Sequence, residues 1–216
     1  MDNIVIITGT SKGIGKAIAE LFLKKDFIVY GLDRLEASLE NKNYHHVLVD
    51  LFKDELPNLP PCNILINNAG TQNDNDIDNN LKAVIRVTEK YAFQDKIKYV
   101  LFIASASGNT GAEFPEYAAS KGGVIAYMKN VALRLAKFHA TSNSISPGGV
   151  ITDLNDHILK SPDLYEQVLN ETLLHRWSSV EEMAKWAYFI TVINESMTAQ
   201  DILIDNGEAA KSNFIW

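Results

Sequence analysis

The sequence predicts a single doubly wound α/β domain, in which a parallel sheet is covered by helices on both faces to give three layers. Three observations carry that expectation. Short apolar, β-branched runs recur at residues 4–7, 27–32, 46–49, 64–66, 99–103 and 202–204, as strands buried on both faces require. Amphipathic helical patterns alternate with these runs. A turn or polar residue follows each of the first five, namely Gly9, Asp33, Asp50, Asn67 and Ser105, and in such sheets ligands bind at the carboxyl ends of the strands.

At 216 residues the chain falls within the roughly 200–250 residues that α/β folds commonly form as one domain. Neither the polar stretch 71–80 nor the proline-bracketed stretch 57–61 separates two cores, so residues 1–216 read as one unit. A net charge of −7 argues against nucleic acid or an anionic membrane surface as partner. No apolar stretch approaches the ~20 residues of a membrane span, and the run at Ile4 is too short and lacks the charged leader of a signal peptide. The single Cys62 excludes an intrachain disulfide and a cysteine-based zinc site, which suits a reducing cytoplasm. His45 and His46 lack acidic or cysteine partners at ligand spacing, so no metal site is expected.

In chain order, the first strand enters Thr8-Gly9-Thr10-Ser11-Lys12-Gly13-Ile14-Gly15 and then a helix with Ile18, Leu21 and Phe22 on one face. Glycines in a strand-to-helix turn allow positive φ and close backbone approach, and the helix start offers N–H groups to a pyrophosphate. The second strand ends in Asp33, an acid suited to the two ribose hydroxyls of adenosine and repelling a 2′-phosphate. That predicts NAD, while the cations Lys12 and Arg34 leave NADP open. The third strand closes in Asp50-Leu51, and the fourth runs into Asn67-Asn68-Ala69-Gly70. A helix over residues 77–93 follows, with Leu81, Val84, Ile85 and Thr88 inward. The fifth strand delivers Ser105, Ser107 and Gly108.

The helix from Tyr117 to about Lys137 is the centre of the reading. Tyr117 and Lys121 are four residues apart and share a face. A phenol titrates near ~10 and a neighbouring cation favours the phenolate, which makes a proton donor usable near neutral pH. Val124, Met128, Val131 and Leu135 form one apolar stripe for the sheet. Ile125, Ala132 and Ala136, preceded by Ala118 and Gly122, form a second, to be covered by another subunit or by a neighbouring helix.

Taken together these residues resemble the short-chain dehydrogenase/reductase family, over nearly the whole chain from Thr8 to Gly207. The motifs are Thr8-Gly9-x-x-x-Gly13-Ile14-Gly15, Asn67-Asn68-Ala69-Gly70, a serine after the fifth strand, Tyr117-x-x-x-Lys121 and Pro147-Gly148-x-Val150-x-Thr152. The resemblance implies a Rossmann-like fold and an NAD(P)-dependent oxidoreductase interconverting a carbonyl and a secondary alcohol of a small molecule. It implies Tyr117 as general acid, Lys121 as the cation that also meets the nicotinamide ribose, and Ser105 as holder of the carbonyl oxygen. Ser107 is the alternative, because Ser105 lies one residue nearer Tyr117 than in many members. Asn80 matches a helix asparagine that anchors a water behind the lysine, with Asn79 as the adjacent alternative.

For the cofactor the resemblance implies Gly9, Ser11, Lys12, Gly13, Ile14 and Gly15 at the turn, Asp33 and Arg34 at the ribose, and Asp50 and Leu51 beside adenine. It adds Asn67, Ala69 and Gly70, then Pro147, Gly148, Val150 and Thr152 towards the nicotinamide. A substrate lid is implied within about 152–178, although its apolar spacing also fits a plain core helix. Segments 50–67 and 70–80 are shorter than usual, so the flanking helices are expected to be trimmed, and Asp205-Asn206-Gly207 replaces a more usual Asp-Gly-Gly. A four-helix contact between subunits is implied, giving a homodimer or homotetramer. Two other functions stand beside this one. Lys12 and Arg34 would favour an NADPH-dependent 3-oxoacyl-thioester reductase, and a catalytically silent nucleotide-binding sensor or scaffold is opposed by the complete Ser105, Tyr117, Lys121 set. The apolar tail Phe214-Ile215-Trp216 packs on its own subunit or on a neighbour.

Overall fold

The computed structural model describes residues 3–72, 75–112 and 114–211, and the apolar tail Phe214-Ile215-Trp216 lies outside them. Seven strands form one parallel sheet: β1 Ile4–Thr8, β2 Ile28–Asp33, β3 Tyr44–Leu48, β4 Ile64–Asn67, β5 Tyr99–Ile103, β6 Thr141–Pro147 and β7 Asp201–Ile204. Their order is β3-β2-β1-β4-β5-β6-β7. The order reverses between β1 and β4, and the crevice outside that switch point is where a doubly wound sheet receives its ligand.

The helices are α1 Gly13–Lys24, α2 Ala83–Tyr91, α3 Ser107–Thr110, α4 Pro115–Leu135, α5 Asp156–Leu159, α6 Pro162–Leu169 and α7 Val180–Tyr188. Ile18 and Phe22 of α1 and Ala184 and Ala187 of α7 pack on one face of the sheet, against Val5, Ile7, Val29 and Ile66. Val84 and Val87 of α2 and the whole stripe Val124, Met128, Val131 and Leu135 of α4 pack on the other. Full burial of each Val, Leu, Ile, Met or Phe among them contributes on the order of 1.5–3 kcal/mol. The inward face of α2 runs Val84, Val87, Thr88, Tyr91, so Val87 takes the place expected of Ile85; Thr88 stays inward. Wide π turns over Ile77–Lys82 open this helix.

β6 has no apolar pattern and was not anticipated from the sequence. Its Ser142, Asn143, Ser144 and Ser146 are fully buried, and each is satisfied. Ser142 Oγ donates to Met128 O at 3.0 Å, and Ser144 and Ser146 both donate to Asp201 Oδ1, at 2.6 and 2.8 Å. Asn143 donates to Met197 O and accepts from Gln200 N. A buried strand therefore needs paired side chains as much as apolar ones.

Two crossovers on the β3 side contain no helix. Residues 34–43 join β2 to β3, and residues 49–63 join β3 to β4, so the expected trimming goes as far as loss of the helix in the second. Extended chain covers the sheet there, with Val49, Leu56 and Cys62 buried. Side chains of α2 and its end hold it. The Arg86 guanidinium donates to the carbonyls of Leu51 and Phe52 and, at 2.8 Å, of Asp54. Tyr91 Oη donates to Pro57 O at 2.7 Å, and Gln94 Nε2 to Cys62 O at 2.6 Å. Burial pushes the Cys62 thiol up to about 12, so it is an inert core group.

On α4 the second face is accounted for within the subunit at Ile125 and Ala132, both buried, whereas Ala136 is exposed. Close approach of α3 requires glycine at 108, where a Cβ would lie 2.8 Å from the Lys121 backbone. What stays outside on α4 is a strip of Ala119, Ala126 and Leu133, the last 78% exposed. α5 and α6 contain no buried residue, so this segment is no core helix; it lies on the outside, over the carboxyl ends of the strands. Among the described residues no helix is long and apolar enough to cross a membrane.

Candidate active site

One side of the crevice is built by the turn after β1. Gly9 has φ +74° and Gly13 φ +57°, backbone that only glycine adopts without strain. A Cβ on Gly15 would lie 2.1 Å from Gly9 O and 2.3 Å from Asn68 Nδ2, so the turn closes on itself tightly. Asn68 locks it, donating from Nδ2 to Thr8 O and Gly9 O. Thr8 Oγ1 in turn accepts from the N–H groups of Asn68 and Ala69. Asn68 was passed over in the sequence in favour of its neighbour. Asn67 instead turns its amide to Thr88 Oγ1 at 3.0 Å, because successive side chains at a strand end point to opposite sides. Asn68 lines the cavity described below and Asn67 does not.

α1 starts at Gly13 with no side-chain cap and no acid in its first turn, leaving its leading N–H groups to an anion. A Cβ on Gly13 would meet nothing nearer than Thr152 at 3.8 Å, so a groove runs from the helix start to the loop after β6. These features fit a dinucleotide. At the tip of β2, Asp33 Oδ2 accepts from Ser11 N at 2.9 Å and Oδ1 from Leu35 N at 3.0 Å. Lys12 and Arg34 beside it are exposed. Asp50 caps its own turn, accepting from Phe52 N and Lys53 N, and Leu51 is half-buried next to it.

The other side of the crevice is a cavity of about 410 Å³ between the ends of β4, β5 and β6 and the α5–α6 segment. Ser105, Ser107, Tyr117 and Lys121 all line it. Lys121 is buried at the first third of α4. Its Nζ donates to Ile103 O at 3.0 Å and stands 5.6 Å from the centre of the Tyr117 ring. Burial lowers its ammonium to about 8, opposed by the negative charge of Asp76. Asp76 is fully buried and accepts from Thr71 Oγ1 at 2.8 Å; nothing in the sequence marked it, since an acid just before a helix is usually a surface cap. Ser105 Oγ donates to Ser107 Oγ at 3.1 Å and accepts from Ser107 N. The two serines are thus joined to each other, side by side in the cavity.

Asn80 is buried in the π turns and clamps the loop after β4. Its Oδ1 accepts from Thr71 N at 2.7 Å, and its Nδ2 donates to Thr71 O and Ser120 Oγ. Asn79 is only half-buried. A Cβ on Gly70 would lie 2.9 Å from Asn80 Oδ1 and 3.4 Å from Lys121 Nζ, which explains glycine beside the lysine. Pro147, Gly148, Val150 and Thr152 line the cavity from the β6 side. Val150 bridges to Ser178, and a Cβ on Gly149 would strike Trp177 at 2.2 Å. Leu154, Ile158 and Val168 close the outer wall. Further on, Asn206 takes φ +55° ahead of Gly207 at +85°, a conformation asparagine tolerates, so the Asn for Gly replacement leaves the turn intact.

A second concavity, about 450 Å³, lies at the β7 edge. Of its charged groups, Arg176 and Glu182 are spent on each other at 2.8 Å, and Asp205 accepts from the N–H groups of Gly207 and Ala209. Among the described residues no group of three or more His, Cys, Asp or Glu could hold a metal ion.

Comparison with known proteins agrees with this geometry. A family model described as Enoyl-(Acyl carrier protein) reductase matches residues 48–208. The 3-oxoacyl-[acyl-carrier-protein] reductase of Staphylococcus epidermidis is 26% identical, over 96% of this chain and 99% of that protein. The one from Buchnera aphidicola is 29% identical, over 93% and 94%. Among solved structures, 4-hydroxyisoleucine dehydrogenase complexed with NADH matches with a TM-score of 0.89 at 28% identity, over 98% of this chain and 100% of that one. A short chain dehydrogenase family protein from Francisella tularensis matches at 0.87 and 27%, over 98% and 100%.

Proposed function

The chain belongs to the short-chain dehydrogenase/reductase family and is an NAD(P)-dependent oxidoreductase acting between a carbonyl and a secondary alcohol, and we propose that Tyr117 is its general acid and base. The observation that carries this is the Lys121 ammonium, buried in the same cavity as Ser105 and Tyr117 and held towards the phenol ring by Ile103 O. A buried cation next to a phenol stabilises the phenolate and so eases proton release and recapture. In reduction Tyr117 gives its proton to the carbonyl oxygen, and in oxidation it takes the proton from the alcohol. Ser105, its oxygen held by the Ser107 N–H, turns its single hydroxyl proton from Ser107 Oγ to that oxygen and stabilises its developing charge. Asn80 keeps Thr71 and Gly70 in place beside Lys121. The bound nicotinamide supplies or accepts the hydride.

Gly13, Ile14 and Gly15 at the start of α1 would hold the pyrophosphate, Gly9 would leave room for it and Ser11, whose N–H and Oγ are given to Asp33 and Leu35, would fix the ribose end; Asp50, Leu51 and Ala69 would border the adenosine side, and Pro147, Gly148, Val150 and Thr152 would seat the nicotinamide. NAD is the preferred cofactor, because Asp33 is fixed by two N–H groups where a ribose diol would meet it. The substrate is a small molecule closed in by Leu154, Ile158 and Val168. The enzyme works in the cytoplasm as a homodimer or homotetramer that covers the α4 strip around Leu133. Light scattering at micromolar concentration should give a multiple of 24.0 kDa; a monomer mass would overturn the assembly.

A second reading, an NADPH-dependent reductase of 3-oxoacyl thioesters, is favoured by the exposed Lys12 and Arg34 next to Asp33 and by what the relatives are called. One experiment separates these: a panel of simple ketones, hydroxy acids and 3-oxoacyl thioesters, each assayed with NADH and NADPH. Turnover of small carbonyls with NADH supports the first reading, and thioester turnover with NADPH supports the second. Binding of cofactor without turnover of any substrate would leave a sensor or scaffold.

A further inference from the structure

The connection from β2 to β3 is made by residues 34–43 without a helix, although parallel neighbours are usually joined by one. That connection carries Leu35, whose N–H holds Asp33 Oδ1. Something else must therefore fix it. We propose that His46 and Tyr44 form a strut that positions the adenosine end of the cofactor site, in place of that helix. The inference rests on the reading that Asp33 meets the adenosine ribose.

The strut is a chain of three contacts: Thr10 Oγ1 to Tyr44 Oη at 2.8 Å, Tyr44 Oη to His46 Nδ1 at 3.0 Å, and His46 Nε2 to Leu35 O at 2.9 Å. Its direction follows from chemistry. Leu35 O can only accept, so Nε2 carries the imidazole proton and Nδ1 of the neutral ring is an acceptor. Tyr44 then donates to Nδ1, and its oxygen accepts from Thr10. Both ends of the chain arrive at the residues that hold Asp33. At one end is Leu35, and at the other is Thr10, followed directly by Ser11, whose N–H donates to Asp33 Oδ2. Ser11 Oγ also donates to Leu35 O, and Ser38 Oγ to Ser11 O at 2.7 Å, so the loop after β2 and the turn after β1 are sewn together around the carboxylate.

Gly31 gives independent support. It sits inside β2, where glycine weakens a strand. A Cβ there would lie 2.4 Å from Thr10 Oγ1 and 2.5 Å from Tyr44 Oη. The missing side chain is the space that the Thr10–Tyr44 contact occupies. His46 is thus a positioning residue, acting on the cofactor through Leu35 and Asp33.

The test is calorimetric titration of ADP-ribose, 2′-phospho-ADP-ribose and nicotinamide mononucleotide into the parent, His46→Phe, Tyr44→Phe and the double variant, with kcat and KM for NADH alongside. Loss of one link should weaken ADP-ribose about 5- to 10-fold. The loss for the 2′-phosphate analogue should be smaller, because Asp33 no longer stands fixed against it, and mononucleotide binding should not change. The kinetic loss should fall on KM rather than kcat. The double variant should be no weaker than either single one, and His46→Gln, whose amide offers an acceptor and a donor, should recover much of the affinity. Unchanged ADP-ribose affinity in both Phe variants overturns the strut, as does an equal loss for all three ligands. If His46→Phe does not fold, Tyr44→Phe decides, since it removes a single oxygen. A parent that binds no ADP-ribose overturns the cofactor reading and the strut with it.

Discussion

The crossover from β5 to β6 and the crossover from β3 to β4 cover the same face of the sheet by different physics. The first contains α3 and α4 and buries Val124, Met128, Val131 and Leu135 along one helical stripe. The second is extended chain whose carbonyls are held by Arg86, Tyr91 and Gln94. A helix satisfies its own backbone and presents a rigid row of side chains, so Tyr117 and Lys121 can be set with small error. Extended chain leaves its carbonyls to be met by side chains from elsewhere. The proposed chemistry sits on the first kind of cover, and the second would supply only the border of the proposed nucleotide groove. Substitutions should accordingly uncouple activity from stability in opposite senses on the two sides.

The sharpest break is on the helical side. Tyr117→Phe removes the phenol and keeps the half-buried ring, so kcat should fall by about 10²–10⁴-fold while urea unfolding and ADP-ribose affinity stay at parent values. Turnover near the parent's would remove Tyr117 from the chemistry. The converse break is Arg86→Met, which strips donors from three carbonyls of the 49–63 segment. Unfolding should cost about 2–4 kcal/mol less than in the parent, with kcat little changed once the protein is folded. A loss too small to measure by urea titration would mean that water serves those carbonyls as well as Arg86 does.

Lys121 sharpens the comparison through pH. Its ammonium is lowered by burial from 10.5 to about 8. Between those values the unfolded chain binds a proton that the folded one has released, so this group makes the fold more stable as pH rises through that window. Lys121→Met lacks the effect. The stability of the parent relative to Lys121→Met should therefore grow from pH 8 towards pH 10.5, by on the order of 1–3 kcal/mol, whatever the offset at pH 7. A constant difference would show that the lysine is not desolvated.

On the nucleotide side, Asp33→Ala should narrow the preference for NADH over NADPH by roughly 10-fold, about 1.4 kcal/mol, read from Kd values for the two cofactors. A parent protein that prefers NADPH would put Lys12 and Arg34 in charge instead.

How much of this could be read from sequence follows the same division. The turn Gly9 to Gly15 and the pair Tyr117 and Lys121 are local patterns, so spacing alone places them. Asp76 and Arg86 act on partners distant in sequence or on backbone carbonyls, and neither leaves a signature in residue type. β6 was hidden because Ser142, Asn143, Ser144 and Ser146 look like a loop until their partners Met128, Met197 and Asp201 are known. The relation of Ser105 to Ser107 needed the geometry of their mutual bond. His45 and His46 looked equivalent at a strand edge. One stacks on Tyr30 at 4.8 Å and the other spans Tyr44 and Leu35.

The smallest expected effect lies where the two sides meet, on the outer surfaces of α2 and α4. Arg134 forms a two-point contact with Glu89, 2.6 and 2.7 Å, and Tyr127 Oη donates to the same carboxylate at 2.8 Å. The guanidinium also lies 3.9 Å over the Phe93 ring. The Arg134 hydrogen bonds hold the Glu89 carboxyl below its usual 4.5, so the stabilisation is present above that value and is lost as pH falls through the lower folded one. Both side chains are about 40% exposed, and exposed pairs of this kind contribute about 1 kcal/mol or less. Arg134→Ala should thus lower unfolding stability by under about 1 kcal/mol at pH 7, less in 1 M salt, and the part owed to the Glu89 pair should fade as the carboxyl becomes protonated. Urea titrations of parent and variant at two salt concentrations, and at pH 7 and pH 3, measure all three. A much larger loss that salt does not touch would contradict an exposed pair and would mean that a second copy of the chain buries this surface, the one next to Leu133.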